Sequence, residues 1–155
     1  HPVPDYLASG NYNPKPSVET ISNAMDVGAP SNFIRMRLLA GDKIDQVRKI
    51  VKGYDTSDEK TKEIMLDVYK RTGYVMCPHT AVAYDGLTQY ALDNPRDFYG
   101  VLLSTAHYAK FLPTVESTLG TKVEVPARLA ALLDKQKKSI PMGTDFEGFK
   151  KYLLL

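Results

Sequence analysis

Phe98-Tyr99-Gly100-Val101-Leu102-Leu103-Ser104-Thr105-Ala106-His107-Tyr108-Ala109-Lys110-Phe111 is the stretch on which the fold reading turns. Its first part, 98–103, is short, apolar and rich in β-branched and aromatic residues, which makes it the best strand candidate in the chain. Polar groups follow at once: the hydroxyls of Ser104 and Thr105, the imidazole of His107 and the ammonium of Lys110. In an open α/β sheet, ligands sit in the crevice beyond the carboxyl ends of the strands. A buried strand at 98–103 would therefore put these groups where a ligand lies. A hydroxyl there can hydrogen-bond a heterocycle nitrogen. Serine and threonine are also common helix caps, so a purely structural role stands beside the functional one.

A second extended candidate, Tyr74-Val75-Met76, leads in the same way into Cys77-Pro78-His79-Thr80-Ala81. Helical patterns surround the two. Pro30 and Gly41 bracket an apolar run from Phe33 to Leu39, as fits a helix with Pro before it and Gly after it. Asp42 opens another helical stretch, with Ile44, Val47, Ile50 and Val51 on one face. Thr56-Ser57-Asp58 begins a helix whose early acids and late Lys70-Arg71 suit the helix dipole, with Gly73 as its carboxyl cap. Further helices are expected from Ala81 to Leu92, from Lys110 to Leu119 ahead of Gly120, from Pro126 to Lys138, and after Asp145. Val18 to Met25 suits a helix or a strand equally, and 1–19, with its four prolines, reads as an irregular lead-in.

Strand–helix alternation of this kind predicts an α/β fold: a partial three-layer arrangement with a short, mostly parallel sheet flanked by helices. Only two or three strands are visible, few for so many helices, so the sheet is expected to be completed by further chain. At 155 residues and 17.3 kDa the chain can bury a core of its own. A net charge of +2, evenly spread, gives no argument for nucleic acid or an anionic membrane surface as partner. The basic run Lys135-Gln136-Lys137-Lys138 reads as the solvated end of a helix. No apolar stretch is long enough to span a bilayer, and Pro2, Pro4 and Asp5 stand where a secretory leader would be basic and then apolar. A single cysteine, Cys77, fits a reducing compartment, and with three scattered histidines it makes no metal-ligand spacing.

Three polar-rich segments, taken in order, resemble the carboxyl-terminal part of threonine synthases. They are Pro16-Ser17-Val18 with Thr20-Ile21-Ser22-Asn23-Ala24-Met25-Asp26-Val27-Gly28 and Pro30-Ser31-Asn32-Phe33; Pro78-His79-Thr80-Ala81-Val82; and Ser104-Thr105-Ala106-His107 with Ala109-Lys110-Phe111. The likeness runs along essentially the whole chain. It implies part of a fold type II enzyme dependent on pyridoxal 5'-phosphate, a cytoplasmic lyase that converts O-phospho-L-homoserine and water to L-threonine and phosphate. Family members hold the cofactor on a lysine in a Ser-Phe-Lys-Asp type motif and cradle its phosphate with a glycine-rich loop. Neither motif occurs here. Residues 1–155 are accordingly expected to be the carboxyl-terminal portion of the catalytic domain, inactive alone, with the amino-terminal part of the same polypeptide as its partner.

Within that resemblance, Thr105 is expected to face the pyridine nitrogen, with Ser104 and His107 beside the cofactor and no residue of this chain directly catalytic. His79, Thr80 and Lys110 are expected to line the substrate cleft. Two departures stand out. Tyr108 replaces an expected proline, which predicts a less rigid loop, and Cys77 stands where an acid is usual. Other readings stay open: a threonine or serine dehydratase of the same cofactor class, a non-catalytic threonine-synthase-like binding protein, or an independent small α/β module. Apolar surface left without neighbours predicts self-association.

Overall fold

A computed structural model describes residues 1–22 and 27–154. Among them the regular structure is helical: α1 (Pro2–Ser9), α2 (Phe33–Leu39), α3 (Ile44–Ile50), α4 (Asp58–Thr72), α5 (Pro78–Asp93), α6 (Leu112–Leu119), α7 (Ala127–Leu133) and α8 (Phe146–Leu153), with a 3-10 turn at Tyr108–Phe111. The chain divides into two compact units, His1–Glu124 and Val125–Leu155.

The expected parallel sheet is absent: no strand occurs among the described residues, and the α/β three-layer reading is corrected to an all-helical one. Both strand candidates, 74–76 and 98–103, are irregular. The physical reason lies in what makes a strand. A helix satisfies its amides internally, whereas a strand exists only through hydrogen bonds to a neighbour. No described segment supplies that neighbour. Tyr99, Val101 and Leu103 are 103%, 81% and 72% exposed, so the apolar residues that prompted the strand reading face outward. Gly100 passes close to α5: a Cβ there would come within 2.8 Å of the Leu87 side chain.

The first unit is organised by well-capped helices. Ser57 accepts the Lys60 amide at 3.1 Å to start α4, and Gly73 ends it with φ 74°, a left-handed value that glycine adopts without Cβ strain. Pro78 occupies the first turn of α5, where a missing N–H costs nothing. On α4, Thr61, Ile64, Met65 and Val68 recur at helical spacing and form the buried face. That face packs with Met76, Cys77, Ala81, Phe111 and Val115 in one apolar cluster. A second cluster joins Tyr6, Phe33, Ala40 and Val47 from α1 to α3. Phe33 is its centre, stacked on Tyr12 at 3.8 Å and met edge-on by Tyr6 at 4.9 Å.

Several boundaries differ from the sequence reading: α5 starts at Pro78 and not Ala81, and α6 at Leu112 and not Lys110. Residues 2–9, within the expected irregular lead-in, form α1, because Pro2 and Pro4 fall in a first helical turn and Tyr6 finds a core to bury into. The helix expected from Asp42 begins at Ile44, since Asp42 adopts φ 57° and pairs with Arg37 at 2.6 Å. Val18 to Ser22 is neither helix nor strand, and 23–26 lie outside the described residues.

In the second unit, α7 is shorter than expected, and Leu132 and Leu133 are exposed. Asp145 caps α8 as its position predicts, accepting the Gly148 amide at 2.7 Å.

Candidate functional site

The carboxyl side of 98–103 and the amino-terminal turn of α5 meet. Thr80 Oγ1 lies 3.0 Å from Ser104 Oγ and 3.3 Å from Cys77 Sγ. Thr80 and Cys77 are each 1% exposed, while Ser104 and Thr105 are exposed. Thr80, expected to line a cleft, thus sits behind the surface, and its partner Ser104 is an exposed residue. Thr105 follows on the same exposed stretch.

His107 serves the local backbone: its Nδ1 accepts the Ala109 amide at 3.1 Å and caps the 3-10 turn. With Nδ1 an acceptor, a neutral ring carries its proton on Nε2. Tyr108, the residue in place of the expected proline, packs against the His107 ring at 4.2 Å and donates its hydroxyl to the Glu124 carbonyl at 2.8 Å. A side-chain anchor here does what a fixed φ would do in proline. The His79 ring, half-buried, lies 5.0 Å from Phe111 at a tilt. Lys110 is exposed and lines a groove of about 540 Å³ with Glu19, Thr20, Ile21, Asp58 and Thr114.

The segment ahead of residue 23 joins this region through α4. Asp58, in the first turn of α4, accepts the Ile21 amide at 3.2 Å. Thr20 and Ser22 hydroxyls lie 3.1 Å apart beside it. Gly28 returns to the same neighbourhood: its amide donates to Ser17 Oγ at 3.1 Å. A groove of about 620 Å³ runs past Ser17, Thr20, Ser22, Gly28, Thr56 and Asp58. Asp85 carries no signal in the sequence that would single it out. It is buried on α5 and accepts from Thr56 Oγ1 at 2.8 Å and Gln89 Nε2 at 2.6 Å. Two donors stabilise a carboxylate that a non-polar core would otherwise penalise. No group of three or more candidate metal ligands occurs among the described residues.

Comparison with known proteins points to one family. Residues 80–153 match the family described as Threonine synthase, C-terminal. Threonine synthase of Escherichia coli K12 is 38% identical over 152 residues, covering 98% of this chain and 34% of that protein. This chain matches the carboxyl-terminal portion of the threonine synthases. Threonine synthase of Buchnera aphidicola from Acyrthosiphon pisum is likewise 38% identical over 152 residues, covering 98% and 34%. The crystal structure of the Escherichia coli threonine synthase superposes with a TM-score of 0.80 at 37% identity, over 99% of this chain and 35% of that one. A threonine synthase from Brucella melitensis, solved with PLP bound, superposes at 0.67 and 24% identity over 97% and 37%, a likeness of fold. The chain thus spans about a third of the threonine synthases it matches.

The exposed hydroxyls provide the test of whether pyridoxal phosphate suits these residues. Ser104, an exposed residue, is hydrogen-bonded to the buried Thr80. A neutral donor held this way fits a pyridine nitrogen as acceptor. No helix among the described residues is long and apolar enough to cross a membrane.

Proposed function

We propose that this chain is the carboxyl-terminal portion of a threonine synthase, a cytoplasmic lyase dependent on pyridoxal phosphate. The polypeptide to which it belongs converts O-phospho-L-homoserine and water to L-threonine and phosphate. What carries the reading is the likeness to threonine synthases along 98% of the chain, together with the meeting of its second and third polar motifs at Thr80 and Ser104. Residues 1–155 belong to the catalytic domain, and the remainder of that domain is their partner.

Pyridoxal phosphate, when bound, supplies the electron sink for carbanion chemistry. The chain's own residues bind and orient. Thr105 and Ser104 offer neutral hydroxyls to the pyridine edge, and a hydroxyl, unlike a carboxylate, does not hold a proton on that nitrogen. His107, capped onto the 3-10 turn, holds the loop that carries them. Lys110 and His79 lie on the substrate side, where an ammonium attracts the phosphate or carboxylate of the substrate. This chain contains no lysine in a Ser-Phe-Lys-Asp context, so it is inactive alone.

The test is turnover by the longer polypeptide, purified with pyridoxal phosphate. Threonine and phosphate are expected to form in equal amounts from O-phospho-L-homoserine, and Thr105→Val is expected to slow both. Absence of turnover with cofactor bound would reject the reading.

A further inference from the structure

We propose that Cys77, Thr80 and Ser104 form a polarised relay, in which Thr80 is a positioning residue that keeps the Ser104 hydroxyl as an outward-facing donor to a hydrogen-bond acceptor on the bound ligand. Only the identity of that ligand rests on the function proposed above.

The geometry is three polar atoms in a row. Cys77 Sγ stands 3.3 Å from Thr80 Oγ1, which stands 3.0 Å from Ser104 Oγ. The first two residues are buried and the third is exposed. A threonine hydroxyl has one proton, so it donates to the sulfur or to the serine, never to both. Oxygen is the stronger acceptor and thiol sulfur a weak one. The Thr80 proton therefore goes to Ser104 Oγ, and the Thr80 lone pair facing Cys77 takes the thiol proton. One lone pair of Ser104 Oγ is then engaged by Thr80, and its own proton is left for another acceptor.

Burial keeps the order. With Thr80 and Cys77 at 1% exposure, water does not compete for the hydrogen bond between them. Cys77 owes its place to the fold: it precedes Pro78 at the start of α5 and packs in the apolar cluster of α4 and α6. Replacing its thiol by a carboxylate, an acceptor with no proton to give, would draw the Thr80 proton inward. Ser104 would then donate to Thr80 and lose its outward proton.

Infrared spectroscopy of this chain reads the relay directly, because Cys77 is its one cysteine and the S–H stretch has a single source. A thiol that donates absorbs at lower wavenumber than one that does not. The expected result is a lowered band in the unaltered chain, a move to higher wavenumber in Thr80→Val, and retention of the lowered band in Thr80→Ser. Ser104→Ala, at an exposed site, is expected to raise the band too, since Thr80 then turns its proton onto the sulfur. A band that stays in place in both Thr80→Val and Ser104→Ala would overturn the proposal, as the thiol would then be no donor. Should Thr80→Val not fold, Ser104→Ala and Thr80→Ser decide alone. Failure of threonine synthesis in the longer polypeptide would leave this infrared result untouched, so the two readings fall separately.

Discussion

The Gly28 amide donates to Ser17 Oγ at 3.1 Å, and the Lys15 carbonyl occupies the space that a Cβ on Gly28 would need. The contact is backbone against backbone, so neither side can yield by rotating a side chain. Gly28→Ala is expected to destabilise the chain by roughly 1–3 kcal/mol, the range for forcing extra atoms into a packed site. Urea unfolding followed by circular dichroism measures it; an unchanged midpoint would mean that this loop is free to move apart.

Met65 is 1% exposed at the centre of the α4 face, whereas Leu133 on α7 is 61% exposed. Met65→Ala removes buried volume and leaves a cavity, and is expected to cost about 2–5 kcal/mol. Leu133→Ala removes little buried surface and should stay within about 0.5 kcal/mol. Equal losses of stability in the two variants would contradict the placement of the core.

Acid is expected to weaken the link between α6 and the segment after it. The hydrogen bond from Lys122 Nζ, at 2.6 Å, holds the Glu116 carboxyl below its ordinary 4.5, with the Val123 amide adding to it and partial burial opposing. A carboxyl whose folded value is depressed stabilises the fold above its unfolded value, and that contribution fades as pH falls through the folded one. Thermal unfolding from pH 6 down toward pH 3 (approximate limits around the carboxylate range) should show this loss, and Lys122→Gln should flatten it. An identical pH profile in the variant would remove the assignment.

Tyr99, Val101 and Leu103 put three large apolar side chains on one exposed segment. Exposed apolar patches of this kind favour association. The isolated chain is expected to self-associate as concentration rises, and Val101→Lys with Leu103→Lys is expected to suppress it. Light scattering that reports a monomer at every concentration would show that this segment is covered in solution.

Helix boundaries were legible where the signal is local. Ser57 and Gly73 around α4, Gly120 after α6 and Asp145 before α8 act on amides within a few residues of themselves, whereas α5 starts at Pro78 and not at the expected Ala81. The motifs that carry the family likeness were legible for the same reason, as short runs of consecutive residues. Thr80 and Ser104 could be singled out as candidates from those runs, but which of them is buried and which exposed could not.

Helices, their caps and the likeness to threonine synthases were therefore written in the order of the residues. Strand pairing and burial were not. Apolar character at 98–103 confers the capacity to be a strand, yet a strand needs a partner's hydrogen bonds, and no described segment provides them. The proline-rich start became α1 because Tyr6 reached Phe33, across 27 residues of chain. Thr80 and Ser104, 24 residues apart, acquired opposite exposures only when α5 packed on α4 and drew Thr80 inward. A cap acts on neighbouring residues and can be read from them; burial and pairing depend on which distant segments meet.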